Sequence, residues 1–143
     1  MPALNVMIKP ASGLCNMRCT YCFYTDEVNH REKGNLGLMS PETLENVIRK
    51  SLEFAEGQCT FAFQGGEPTL AGLGFFENVI RLEKKYNRHS LVIQNALQTN
   101  GYVLDESWCR FLHENHFRVG ISVYVIRSTH DSCRTFKYGN FSF

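Results

Sequence analysis

The chain has 143 residues, of which 43% are hydrophobic, and this length can bury one globular core but not two. Its 15 basic and 14 acidic residues give a net charge of +1 without a basic run, so neither a nucleic acid nor an anionic membrane surface is expected as a partner. No signal peptide and no apolar stretch of the ~20 residues that a membrane span needs is recognisable, which predicts a cytoplasmic protein. In a reducing compartment, the six cysteines favour metal or catalytic use over disulfides.

The first predicted strand, residues 4–8, runs into a loop that carries three cysteines. Cys15, Cys19 and Cys22 have the spacing CxxxCxxC. Thiolates this close in sequence can converge on one soft metal centre, and iron–sulfur clusters are held by such ligands. Because a [4Fe–4S] cluster that only transfers electrons normally has four cysteines, three would leave one iron open to a small ligand. From the spacing alone, a structural zinc site without its fourth ligand and reduced thiols in a core are the alternatives.

The next segment changes from irregular to helical. Residues 25–37 are polar and without periodicity, which predicts an exposed loop. Ser40 as N-cap, Pro41 at the first helical position and apolar residues at helical spacing predict a helix that stops at Gly57.

Three further strands alternate with helices. The strands are predicted at residues 59–64, 91–97 and 117–123, and the helices near residues 75–86 and after Asp105. The fourth helix is expected to be missing or only started. Repeated strand–helix units predict a parallel α/β sheet, with about four βα units.

Each predicted strand ends in a motif. The cysteine loop follows the first strand, Gly65-Gly66-Glu67-Pro68 the second and Gln98-Thr99-Asn100-Gly101 the third, and Ser122 lies at the end of the fourth. In parallel sheets, ligand sites gather at the C-terminal ends of the strands. The sequence therefore predicts one rim that carries every motif.

The cysteine spacing, with Tyr21 directly before the last cysteine, resembles the signature of radical S-adenosylmethionine (SAM) enzymes. Residues 8–12, 22–24, 61–72 and 97–101 resemble the anaerobic sulfatase-maturating branch of that family. The resemblance implies the N-terminal part of a partial (β/α)6 TIM-like radical SAM barrel. It also implies two cofactors, a [4Fe–4S] cluster on the three cysteines and SAM on the open iron.

Cofactor-binding positions follow from the same resemblance: Tyr21, Gly65, Gly66, Glu67, Ser122 and Arg134. The glycine segment would contact the methionine amino group of SAM, the tyrosine would lie near the adenine, and the last two residues would bind the carboxylate and ribose region. Glycines suit such a contact because no Cβ blocks the approach of a ligand to the backbone. The structural alternatives are an ordinary strand-to-helix turn for the glycines and a simple exposed side chain for the tyrosine.

The implied partners are a sulfatase polypeptide, whose Cys or Ser is oxidised to formylglycine, and a reductant such as flavodoxin or ferredoxin. Family members usually continue Ser-x-Asp-Gly after the fourth strand, whereas this chain reads Ser122-Val123-Tyr124-Val125. The expected domain is a truncated radical SAM domain over residues 1–143, without the general-base region and the C-terminal SPASM domain. Alternatives are an inactive fragment that at most binds a cluster, and a radical SAM enzyme that acts on another peptide.

The remaining candidate residues are expected to be structural. Cys59 and Cys109 are predicted to be buried as small apolar residues, and Cys133 has no cluster spacing. The histidines of His113-Glu114-Asn115-His116 are three apart rather than four, so this segment is predicted to be a solvated helix end and not a zinc motif. On the outermost strand, Phe117, Val119 and Ile121 are expected to lie uncovered.

Overall fold

The computed structural model describes residues 3–123 and 126–136. The departure at Tyr124-Val125 lies outside this part of the chain, as do residues 137–143. The predicted α/β fold is confirmed, because the described residues form a four-stranded parallel sheet in the order β1-β2-β3-β4. The strands are β1 (Leu4–Ile8), β2 (Gln58–Phe63), β3 (Val92–Thr99) and β4 (Arg118–Ile121).

The described residues also form five α-helices and one 3-10 helix, the last α-helix lying after β4. They are α1 (Phe23–His30), α2 (Pro41–Phe54), the 3-10 helix (Pro68–Ala71), α3 (Leu73–Tyr86), α4 (Glu106–Glu114) and α5 (Arg127–Cys133). The start of α2 is as predicted, since Ser40 accepts a hydrogen bond from the Thr43 N–H. Asp105 caps α4 in the same way through the Trp108 N–H. No helix within the described residues is long and apolar enough to span a membrane.

The predicted loop over residues 25–37 is wrong in its first part, where α1 lies. This helix has no side-chain hydrogen bond at its N-cap, Cys22, and none of its residues is fully buried. It therefore lacks both signals from which a helix can be predicted, a capping residue and a buried apolar stripe. The fourth predicted helix is present as α5, with seven residues.

The core lies between one face of the sheet and α2, α3 and α4. Alternate residues of β2 point into it, and Cys59, Phe61 and Phe63 are all buried. Phe76 of α3 makes edge contacts with Phe63 and with Trp108. This core fixes the sheet, and with it the rim at the strand ends.

Two predictions about buried residues need correction. Cys59 is buried as predicted, but Cys109 is exposed, because it lies on the outer side of α4 while Trp108 and Leu112 face the core. On β4, Val119 and Ile121 are 40% and 53% exposed as expected. Phe117, in contrast, packs against aromatic rings of the core, Phe63, Phe76 and Phe111.

The segment after α5 returns to the cysteine loop. Met17 and Phe136 form an antiparallel bridge, the Arg18 N–H donates to the Thr135 carbonyl at 2.8 Å, and the Thr20 N–H donates to the Cys133 carbonyl at 3.0 Å. This pairing joins residues more than a hundred positions apart, and no sequence pattern predicted it. It holds the loop of three cysteines against the C-terminal ends of the strands.

Candidate functional site

A cleft of about 190 Å³ lies at the C-terminal rim of the sheet. All the predicted site residues line it: Cys15, Cys19, Tyr21, Cys22, Gly65, Gly66, Glu67, Ser122 and Arg134. The loop after β1, the turn after β2 and the segments after β3, β4 and α5 each supply part of the wall. A larger cavity of about 470 Å³ lies at the opposite ends of the strands, beside Gly57 and His89. None of the predicted site residues lines this larger cavity. The candidate site is therefore identified by its donor atoms and not by its volume.

The three cysteines are half-buried in this wall. Burial raises the pKa of Cys15, and the N–H of Met17, 3.4 Å from its sulfur, acts in the opposite direction. Burial also raises the pKa of Cys19, against the lowering effect of the Arg134 charge. Thiolates are the form that binds metal, so these sulfurs need a positive centre to become ligands.

Three thiols around one cleft fit the donor chemistry of an iron–sulfur cluster with one open iron. Within the described residues, no three His, Cys, Asp or Glu side chains are grouped closely enough to hold a single metal ion. A four-iron cluster does not require such a group, because each cysteine binds a different iron. The cleft between the three sulfurs and the strand ends is the space that the cluster and its ligand would share.

The two glycines after β2 are required by the turn itself. Gly65 and Gly66 have φ values of 96° and 55°, a region that favours glycine. A Cβ on Gly66 would lie 2.1 Å from the carbonyl oxygen of Leu14, which itself accepts a hydrogen bond from the Glu67 N–H at 2.8 Å. The turn is thus packed directly against the cysteine loop, and its contact with SAM stays a prediction.

Glu67 is only 1% exposed, and its carboxylate is bound by donors of the chain. Oε1 accepts hydrogen bonds from the Thr69 N–H, the Thr69 hydroxyl and the Thr99 hydroxyl, and Oε2 accepts one from the Asn100 N–H at 2.7 Å. The side chain therefore joins the turn after β2 to the end of β3. Its predicted role at SAM is not tested by these contacts.

Arg134 is also 1% exposed and lies behind the cysteine loop. Its guanidinium donates to the backbone carbonyls of Ser122 and of Asn100, the second at 3.3 Å, and lies 3.6 Å from the Met17 sulfur. The Ser122 hydroxyl accepts a hydrogen bond from Gln98 at 3.1 Å. These contacts connect β3, β4 and the loop, and the predicted contact of both residues with SAM stays a prediction.

Two further residues line the cleft without a role predicted from the sequence. Tyr24 lies in the first turn of α1, with the Lys9 ammonium 4.9 Å from its ring centre, whereas the predicted Tyr21 is half exposed. Asn100 donates from Nδ2 to Asn16 Oδ1 at 2.8 Å and approaches the Cys15 sulfur at 4.0 Å. Only the position of Asn100 at a strand end could have indicated it from sequence.

Comparison with known proteins adds the family to this geometry. The family model of the radical SAM superfamily matches residues 10–138. The chain belongs to the radical SAM superfamily. The predicted cofactors, a [4Fe–4S] cluster and SAM, agree with this membership.

Several relatives and solved structures are similar over most of the chain. A cysteine-type anaerobic sulfatase-maturating enzyme of Clostridium perfringens is 53% identical over 86% of this chain and 33% of its own length. A serine-type anaerobic sulfatase-maturating enzyme of Bacteroides thetaiotaomicron is 37% identical over 98% of this chain and 34% of its own. A solved structure of anSMEcpe with bound AdoMet and the Kp18Cys peptide has a TM-score of 0.91 and 48% identity, over 99% of this chain and 38% of that one. The chain thus spans about a third of the length of the curated relatives it matches.

Proposed function

We propose that this chain provides the cluster-binding part of a radical SAM enzyme that matures sulfatases. The observation that carries the proposal is the convergence of three cysteines and three strand-end motifs on one cleft. Cys15, Cys19 and Cys22 would each bind one iron of a [4Fe–4S] cluster, which would leave one iron without a cysteine ligand and open to SAM. When bound and reduced, the cluster supplies the electron that cleaves SAM into methionine and a 5′-deoxyadenosyl radical.

The residues around the cysteines would bind and orient SAM. The backbone of Gly65 and Gly66 faces the cleft and offers its polar groups to the methionine end of SAM. Arg134 places a buried positive charge beside Cys19, which favours an anionic group nearby. Tyr21 and Tyr24, which also line the cleft, supply aromatic surface for the adenine.

We further propose a cysteine-containing sulfatase peptide as substrate, whose Cys would be converted to formylglycine. The cysteine-type relatives are 46–53% identical to this chain, against 32–37% for the serine-type relatives. A one-electron donor such as flavodoxin or ferredoxin would reduce the cluster. The proposed domain assignment is part of a radical SAM domain, because the match covers about a third of each relative.

The cluster proposal is tested by anaerobic reconstitution with iron and sulfide. We expect one [4Fe–4S] cluster per chain in the wild type, and its loss in each of Cys15→Ala, Cys19→Ala and Cys22→Ala. Cys109→Ala is the matched control, since Cys109 is exposed on the outer side of α4 and should not affect iron content. Equal iron content and visible absorption in the wild type and the three variants would show that the assignment is wrong.

The same preparation distinguishes the alternatives. With dithionite and SAM, release of 5′-deoxyadenosine supports a functional SAM site, and a cluster without any release identifies an inactive cluster-binding fragment. Mass spectrometry of a sulfatase peptide with Cys or with Ser at the reactive position then tests the substrate. Formylglycine from the Cys peptide supports the proposal, whereas release of 5′-deoxyadenosine without a change in either peptide points to another substrate.

A further inference from the structure

Asn100 holds its side-chain amide in one orientation through its hydrogen bonds. The Tyr102 N–H donates to Asn100 Oδ1 at 3.0 Å, so this atom is the carbonyl oxygen, and the NH2 group faces the other way. One of its hydrogens is bound by Asn16 Oδ1 at 2.8 Å. Its nitrogen lies 4.0 Å from the sulfur of Cys15, which leaves the second hydrogen for that sulfur.

The backbone of Asn100 is fixed from both sides. Its N–H donates to the buried carboxylate of Glu67 at 2.7 Å, and its carbonyl accepts from Arg134 at 3.3 Å. The amide is thus aimed at the cysteine loop by contacts that do not involve the loop cysteines themselves. A donor held this rigidly costs little further entropy when it binds the sulfur.

We propose that Asn100 raises the reduction potential of the cluster by donating an N–H···S hydrogen bond to Cys15. The inference rests on the proposed cluster. Reduction adds one negative charge to the cluster and its ligands, and a donor beside a ligand sulfur stabilises the reduced form more than the oxidised form. The Met17 N–H, 3.4 Å from the same sulfur, is a second donor. Asn100, at the end of β3, therefore affects the reduction potential of the cluster through its hydrogen bond to Cys15.

The test is a redox titration of the reconstituted, SAM-free protein, followed by electron paramagnetic resonance of the reduced cluster. Asn100→Ser keeps a side-chain oxygen that can accept from the Tyr102 N–H, but its side chain is too short to reach Cys15. Asn100→Leu removes all polar contacts of the side chain. In both variants we expect the ratio of reduced to oxidised cluster at a fixed potential to fall about threefold. A change of this size corresponds to the free energy of one weak hydrogen bond. For a one-electron couple this is a midpoint about 28 mV lower.

Asn16→Ala is the matched control, because it removes the other acceptor of the Asn100 amide and leaves the donor to Cys15 in place. We expect its midpoint to stay within the experimental scatter of the wild type. As a second readout, electron–nuclear double resonance after exchange into D2O should show deuteron couplings from the Met17 N–H and from the Asn100 amide, of which both Asn100 variants lose only the second.

Each outcome separates the two proposals. A wild type that binds no cluster overturns the proposed function. A cluster with equal midpoints in the wild type and both Asn100 variants overturns the role of Asn100 alone. An equal shift in Asn16→Ala would assign the effect to the position of the loop, and would also overturn the direct hydrogen bond.

Discussion

Buried charges at the rim are compensated by the chain itself. Glu67 and Arg134, each 1% exposed, have backbone or hydroxyl partners from the strand ends. Such donors offset part of the cost of burying a carboxyl group, whereas the same group without them would be costly to bury. The resemblance to radical SAM enzymes indicated that both residues belong to the site, but their hydrogen-bond partners depend on contacts across the sheet that no local pattern contains.

We expect Glu67→Gln to lower the free energy of unfolding by about 2 kcal/mol, because hydrogen bonds to a charged group contribute ~1.5–3 kcal/mol. The new amide group would also turn a donor toward the hydroxyl and N–H groups that now bind the carboxylate. Urea unfolding measures the change, with the exposed Glu77→Gln on α3 as the control within about 0.5 kcal/mol of the wild type. If both variants unfold at the same urea concentration as the wild type, Glu67 does not hold the rim together.

At the scale of elements, the strands and the capped helices could be predicted from the sequence. A helix without a cap and a pairing between distant segments could not, because neither has a local sequence signal. Ser40 and Asp105 marked the starts of α2 and α4. The helix α1 has no such cap, and the pairing of Met17 with Phe136 is a contact between distant segments. The prediction that Cys109 is buried rests on the usual burial of cysteine and is wrong, because the periodicity of α4 places Cys109 on the exposed side of the helix.

A polar pair lies buried between α3 and β3. Asn95 donates from Nδ2 to Glu83 Oε2 at 3.1 Å, and both residues are 6% exposed. Glu83 Oε1 and Asn95 Oδ1 are buried without a hydrogen-bond partner among the described residues. A proton on the carboxyl would remove the charge from this buried position, and burial raises the pKa of Glu83 to about 7.

This pKa predicts stability that depends on pH. An unfolded glutamate titrates near ~4.3, so between that pH and about 7 the folded chain binds the additional proton. The free energy of unfolding should therefore fall as pH rises through this window, by on the order of 3 kcal/mol, and level off above it. Glu83→Gln, which is neutral and keeps a donor for Asn95, should remove this part of the pH dependence in urea unfolding at pH 5, 6, 7 and about 8.

Other groups near Glu83 need a control. Lys84 lowers the pKa of Glu83, Cys59 interacts with it electrostatically, and Glu114 and His116 line the adjoining cavity. His116 is the histidine in the lining of this cavity, so His116→Asn, which suits the positive φ of 55° at this position, serves as the control. A pH dependence that survives Glu83→Gln and disappears in His116→Asn would refute the assignment to Glu83.

At the scale of the whole molecule, repeated βα units were enough to predict the sheet and the rim. Parallel strands joined by right-handed crossovers leave few arrangements, and the order β1-β2-β3-β4 is the simplest of them. The common direction of the strands brings four separate motifs to one edge. The shape of the cleft also depends on the segment after α5, which pairs with the backbone of the cysteine loop. No local sequence pattern in this segment predicts that pairing.

The same arrangement leaves β4 at one edge of the described sheet, with Val119, Ile121, Val123 and Ile126 all exposed. An open strand edge with apolar side chains can pair with the same edge of a second copy. We expect the chain to self-associate as its concentration rises, which sedimentation velocity measures. Ile121→Lys should shift the equilibrium toward the monomer, because a charge on an edge strand opposes pairing. Val92→Lys, at an equally exposed position at the start of β3, is the matched control and should leave association unchanged. Association that persists in Ile121→Lys and is lost in Val92→Lys would place the contact at the other end of the sheet, away from the β4 edge.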